Sequence, residues 1–218
     1  IDGDSLWNYE AGAKATLFGG STTANVSVYQ MDWEDARTQT FLACGWIAEF
    51  SLVDIVSRGV ELELTTQPMA GLQLHLAAAY NQSEVDGDLG PSAPPIAADG
   101  DTAPFSPEWS LNAGFRYQVD RAFSGLDWYL RGDVSYLSSQ FNELGTQQLE
   151  RIKLPSSTVV NLFSGLSRNR WKFGVFIRNL TDERIVMGAD TDRQRPAQLA
   201  VGRPRNAGIQ VSYDFAGG

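Results

Sequence analysis

Runs of about ten residues that alternate apolar and polar side chains, from one end of the chain to the other, constrain this sequence more than anything else in it. Successive strand side chains point to opposite faces, so each run is a ribbon with one oily side and one wet side. Over 206–215, Ala207, Ile209, Val211, Tyr213 and Phe215 share a face, and Asn206, Gly208, Gln210, Ser212 and Asp214 share the other. The same split holds in 9–17, 60–65, 72–81, 110–119, 127–136 and 171–178. It is less clean in 22–33 and 156–166, where Tyr29, Met31 and Phe163 fall on the nominally polar side. The expectation is nine antiparallel strands in an all-β meander.

The connections alternate too. Segments near 19–21, 67–71, 119–125 and 166–170 are short and rich in turn formers, whereas 34–56, 82–107, 138–155 and 181–202 are long. Aromatic residues collect at strand ends: Trp7, Tyr9, Trp33, Tyr80, Trp109 and Tyr136 at one, Phe18, Trp128, Trp171, Tyr213 and Phe215 at the other. Two aromatic belts, one wet face and connections of two lengths describe a transmembrane β-meander, with long loops outside and short turns in the periplasm. A soluble β-sandwich also alternates, and would simply place Glu10, Lys14, Glu61, Glu63, Arg116, Arg131, Asp133 and Arg178 in water.

Composition narrows function by exclusion. No run approaches the ~20 apolar residues of a spanning helix. A net charge of −9 without a basic stripe argues against a nucleic-acid partner. One Cys (Cys44) and one His (His75) exclude an internal disulfide and make a zinc site untenable. The acidic stretch Glu84, Asp86, Asp88, Asp99, Asp101 and Glu108 reads as a solvated loop; a divalent-cation contact is the alternative, but the spacing does not match an EF-hand. Asn25-Val26-Ser27, Asn81-Gln82-Ser83 and Asn179-Leu180-Thr181 fit a glycosylation triplet, yet two of them lie in or against strands and read as chance. No nucleophile–base set or phosphate loop is present, so neither catalysis nor a cofactor is expected.

Nine strands is odd, whereas bacterial single-chain barrels have even strand numbers, and bare edges would expose unpaired backbone groups to lipid. The segment is therefore expected to be the C-terminal part of a larger barrel, whose other strands close both edges.

Four stretches carry a family resemblance. They are Arg58-Gly59-Val60-Glu61-Leu62-Glu63 with Pro68-Met69-Ala70-Gly71-Leu72; Ser106-Pro107-Glu108-Trp109-Ser110-Leu111-Asn112; Trp171–Phe176 running into Arg178-Asn179-Leu180-Thr181-Asp182; and Arg203-Pro204-Arg205-Asn206-Ala207-Gly208 ending in Val211-Ser212-Tyr213-Asp214-Phe215. Together the chain resembles the C-terminal barrel segment of a TonB-dependent outer-membrane receptor. Ala216-Gly217-Gly218 after Phe215 depart from the pattern, in which the terminal aromatic is last.

The resemblance implies a barrel of about 22 strands with a plugged lumen. It implies an N-terminal plug and TonB box outside residues 1–218, outer-membrane lipid and TonB as partners, and import of a scarce nutrient, most often a ferric siderophore or other iron chelate. On that reading Glu61, Glu63, Arg116, Arg131, Asp133 and Arg178 line the lumen against the plug. Trp7, Tyr9, Trp33, Trp109, Trp128, Tyr136, Trp171, Tyr213 and Phe215 sit at the membrane interfaces. Phe41, Trp46, Phe50, Phe141, Arg193 and Arg195 in the long loops are the candidate ligand contacts, because aromatic faces and guanidinium groups suit catecholate or carboxylate ligands. A passive porin-like barrel and a soluble all-β carbohydrate-binding module remain the alternatives.

Overall fold

A computed structural model of the chain describes residues 3–41, 47–87, 98–144, 151–190 and 198–215, with side chains at all but 37–41, 47–52 and 190. The strands are β1 (Ser5–Leu17), β2 (Thr22–Phe41), β3 (Ile47–Met69), β4 (Leu72–Asp86), β5 (Trp109–Phe123), β6 (Leu126–Leu137), β7 (Gln140–Phe141), β8 (Lys153–Leu154), β9 (Ser157–Arg168), β10 (Trp171–Arg178), β11 (Val186–Asp190), β12 (Gln198–Val201) and β13 (Asn206–Tyr213). Nine of them form one antiparallel sheet in the order β1-β2-β3-β4-β5-β6-β9-β10-β13, and β7/β8 and β11/β12 are small hairpins inside long connections. This is the expected nine-stranded meander, open at β1 and β13.

The length of the strands suits a membrane. Twelve residues, as in β6 and β9, span about 40 Å along the strand, or about 28 Å at the ~45° tilt of a barrel. That is close to the ~25 Å apolar band of outer-membrane barrels.

Strand pairing fixes which residues share a face. Val28↔Val60, Leu62↔Ala78, Leu111↔Tyr136 and Val175↔Ile209 are matched on one side. Ser27↔Glu61, Ala77↔Asn112, Asp133↔Asn161 and Lys172↔Ser212 are matched on the other. The apolar face has no layer packed on it: Ile209 is 80% and Val175 55% exposed. In water a face like this would forfeit about 25 cal/mol per Å², so it is built for an apolar solvent. Among the described residues the buried hydrophobic side chains, Ala36, Val53, Val85, Ala103 and Leu154, instead gather at the long-loop end.

Tyr29, which blurs the sequence alternation, has a packing reason to be on the polar face. It lies over the cross-strand Gly59, as His75 lies over Gly114, Tyr129 over Gly165 and Phe176 over Gly208. Each ring occupies the volume where the glycine's Cβ would stand, the device by which an aromatic side chain covers a strand glycine. The Tyr29 hydroxyl then donates to Asn81 Oδ1 (3.0 Å). Phe163 faces the same side and packs on Phe176, ring centres 6.4 Å apart.

Two expectations are corrected. The stretch 34–56 is not a long loop: β2 and β3 stay paired out to Phe41↔Ile47. Register shifts between Trp33 and Arg37 hide this in the sequence, because one inserted residue reverses the alternation. Asp35 takes positive φ (56°) there, and its N–H donates to Asp54 Oδ1 (2.8 Å). Trp33 is not on the apolar face. It shares the parity of Tyr29 and Met31, pairs with Leu6, and donates its indole N–H to Asp4 Oδ2 (3.1 Å) on the polar side.

Candidate functional site

The polar face of the sheet carries the chemistry. Glu61 and Glu63 stand two residues apart on β3, and Glu63 accepts from Asn25 Nδ2 (3.2 Å). Arg116 and Arg131 are directly opposed on β5 and β6, a like-charge pairing that needs relief. Each turns to other partners. Arg131 pairs with Asp133 (3.2 Å) and lies 5.2 Å from the Phe163 ring centre; Arg116 reaches Gln118 Oε1 (3.4 Å) and lies 5.2 Å from Tyr129. Arg178 sits 4.7 Å from the Phe176 ring. All six expected lumen residues thus occupy one face, with carboxylates on β3 and β6 and guanidinium groups on β5, β6 and β10.

From this wall a chain of hydrogen bonds climbs to a long connection. Asn161 Nδ2 donates to Asp133 Oδ2 (2.7 Å), and Asn161 Oδ1 accepts from the Asn179 N–H (3.0 Å). Asn179, only 3% exposed, donates from Nδ2 to the Glu183 (2.9 Å) and Arg203 (3.1 Å) carbonyls and accepts the Glu183 N–H (2.8 Å). It therefore pins both ends of 183–203 to the sheet. The residue is a structural hub, and burial leaves no room for a glycan. The signal available in the sequence is the asparagine that ends the strand, since asparagine is among the non-glycine residues that best tolerate the positive φ (52°) found there.

A second assembly joins three long connections. Asn142, fully buried, accepts the Ile152 N–H (2.6 Å) and donates to Ala189 O (3.2 Å). Arg151 pairs with Asp101 (2.5 Å), donates to Thr102 O (3.2 Å) and stacks 4.0 Å from the Phe141 ring centre. Asp99 and Asp101 accept from the Gly87 and Ala98 N–H groups, so these acids serve backbone and Arg151, and the described residues contain no metal-binding cluster. Nothing in the sequence links positions 101 and 151. Arg151→Ala is expected to speed hydrogen exchange at the Ala98 amide roughly tenfold. The pair is a quarter exposed, which limits it to about 1.5 kcal/mol. Unchanged protection would mean the connections dock without it.

Of the expected ligand contacts, Phe141 is in this assembly with one ring face taken by Arg151. Phe41 and Phe50 lie on the extended β2–β3 hairpin, Phe50 opposite Thr38. Trp46, Arg193 and Arg195, like Cys44, lie outside the described residues. The interface aromatics other than Trp33 project from the apolar face in two rows. Tyr80–Trp109 (5.0 Å) mark the long-loop end; Tyr117–Trp128 (6.2 Å), Trp171–Tyr213 (4.8 Å) and Tyr213–Phe215 (4.9 Å) mark the short-turn end.

A sheet with an uncovered apolar exterior, a hydrogen-bonded polar interior and structured long connections is a sector of membrane barrel wall. Residues 5–180 match the family described as TonB dependent receptor-like, beta-barrel, and the chain belongs to it. Its fold is similar to that of the ferric yersiniabactin uptake receptor FyuA from Yersinia pestis (TM-score 0.82, 18% identity, 98% of this chain and 30% of that one). It is also similar to the ferric-catecholate import receptor Fiu from K12 E. coli (0.72, 15%, 97% and 28%) and the ferric preacinetobactin receptor BauA from Acinetobacter baumannii (0.71, 20%, 96% and 29%). The chain spans less than a third of the length of each. Family and fold are those of transport receptors of the bacterial outer membrane rather than of enzymes.

Proposed function

We propose that residues 1–218 are the C-terminal part of the barrel of an outer-membrane receptor that imports a ferric siderophore or similar iron complex, energised through TonB. The long connections face the outside, the short turns and the C-terminus face the periplasm, and a plug domain and further strands complete the protein. The observation that carries this reading is the wall network Arg131–Asp133–Asn161–Asn179, which ties a polar interior surface to the base of a long outer connection. A receptor needs such a surface twice: to hold a plug by hydrogen bonds, and to join ligand capture above to plug movement below.

The direct test is uptake of a radiolabelled ferric siderophore panel by cells carrying the full-length gene, its deletion, or a deletion of tonB. Transport lost in both deletions supports the reading. Diffusion that survives loss of tonB identifies a passive barrel instead.

At the wall itself, Arg131→Asp beside Asp133 is expected to lower uptake at least tenfold in a folded barrel, and the exchange Arg131→Asp/Asp133→Arg to recover part of it. Uptake and plug protease protection that stay at wild-type level in the single variant would remove these residues from the mechanism.

A further inference from the structure

The lipid-facing side of β6, β9, β10 and β13 is not uniform. Between Trp128, Leu166, Phe173, Val175, Ile209 and Val211 runs a shallow groove of about 440 Å³. It shares Ser164, Val175 and Ile209 with a second groove of about 430 Å³ that continues past Leu162, Ile177 and Ala207 toward midspan. The furrow exists because small outward residues, Ser164 and Ala207, stand in cross-strand rows beside larger ones, Val175 and Ile209 in one and Leu162 and Ile177 in the other. Ser164 can face lipid because its hydroxyl is satisfied, donating to Tyr129 O (3.1 Å) and accepting from Trp128 Nε1 (2.9 Å).

Below the furrow, on the same face, stands a cation. Arg168 follows Leu166 by two residues, about 7 Å along the strand, and pairs in register with Trp171. It is exposed, and its register partner Trp171 is in ring contact with Phe173 and Tyr213. Arg121 lies at the irregular end of β5 and Arg170 on the β9–β10 turn, and among the described residues none of the three joins an ion pair. The carboxylates of this end are engaged elsewhere: Asp120 with Gln118, Asp127 with the Arg121 N–H, Asp214 with Lys172.

We propose that this furrow is a binding site for an anionic glycerophospholipid of the short-turn leaflet. One acyl chain lies along Ser164 and Ile209, and the phosphodiester is held by the Arg168 guanidinium, with Arg121 and Arg170 adding field. Guanidinium suits the phosphate because its planar donor fork binds two oxygens at once, and its alkyl stem crosses the apolar rim. The inference rests on the membrane part of the proposed function alone. It needs neither cargo nor TonB, so an uptake failure leaves it standing and its own failure leaves uptake untouched.

The test uses the full-length receptor in detergent, exposed to equal dioleoyl-phosphatidylglycerol and dioleoyl-phosphatidylethanolamine, with retained lipid read by native mass spectrometry. The expected result is at least fivefold preference for phosphatidylglycerol, abolished in Arg168→Gln, partly kept in Arg168→Lys, and accompanied by lower total lipid in Ile209→Trp, which fills the furrow. Ile209 is 80% exposed on the lipid side, so that variant tests occupancy without disturbing a packed core. Equal retention of the two lipids, an unchanged preference in Arg168→Gln, co-purified lipid A at this face, or displacement by inorganic phosphate alone would each overturn the proposal.

Discussion

Gly165→Ala is expected to destabilise the barrel by about 3 kcal/mol, while Gly174→Ala, directly opposite in register, is neutral or stabilising by about 0.5 kcal/mol. The two glycines look equivalent in sequence and differ in what surrounds them. A Cβ at Gly165 would stand 2.5 Å from Tyr129 Cε1 and 2.6 Å from the Phe173 carbonyl oxygen. The ring can swing, but the carbonyl belongs to the neighbouring strand and cannot. At Gly174 the nearest atom is 3.5 Å away, an ordinary contact, and alanine there lowers the entropy of the unfolded chain. The difference corresponds to more than a hundredfold in the folded/unfolded ratio. Urea titration of the full-length barrel refolded in detergent, read by the mobility difference between folded and unfolded forms, would detect it. Tyr129→Ala in the Gly165→Ala background should recover only part of the loss. Equal midpoints for the two single variants would show that the ring and carbonyl do not enforce the glycine.

The second large effect is expected at Asn179. Asn179→Ala removes the acceptor of the Glu183 N–H and the donor to the Glu183 and Arg203 carbonyls. It also forces alanine into φ 52°, a region asparagine tolerates better. One buried N–H left unbonded and the backbone strain together cost about 3 kcal/mol. Because these bonds clamp a connection, the loss should appear locally. Exchange of the Glu183 amide and protease cutting within 183–203 should rise by about a hundredfold, with strand amides unchanged. Asn179→Gly should recover the backbone share, about 1 kcal/mol, and nothing else. Cutting at the wild-type rate in Asn179→Ala would mean that the Asp182–Arg205 contacts (Arg205 N–H to Asp182 Oδ1, 2.9 Å) suffice to hold the connection.

Neither site is legible in the sequence, which reads clearly only where the pattern is local. Strands such as 206–215 and 127–136 are legible because a half-exposed ribbon must alternate, and a slip of one residue would turn every apolar side chain inward. The shared face of Glu61, Glu63, Arg116, Arg131, Asp133 and Arg178 follows from the same parity. The pairing of 36–41 with 47–53 is hidden because register shifts beside Asp35 disturb the alternation and nothing local announces them, whereas Trp33 keeps the unbroken parity of Tyr29 and Met31, which puts it on the polar face. Tyr29 and Phe163 looked like errors of alternation until their partners were known. A ring on the wet face is stable when a glycine or a second ring lies beneath it across the sheet, a relation between residues 30 or 13 positions apart.

The sequence by itself determined the nine strands of the main sheet, their two faces and most of the alternation of short and long connections, because these depend on neighbours one or two residues away. Tertiary structure alone decided which glycines are indispensable, that Asn179 clamps 183–203, that Arg151 reaches Asp101 across 50 residues, and that small residues on two strands align into one furrow. Each of those depends on how distant strands and connections meet, a long-range relation that the local pattern permits in several ways and the hydrogen-bonded sheet permits in one.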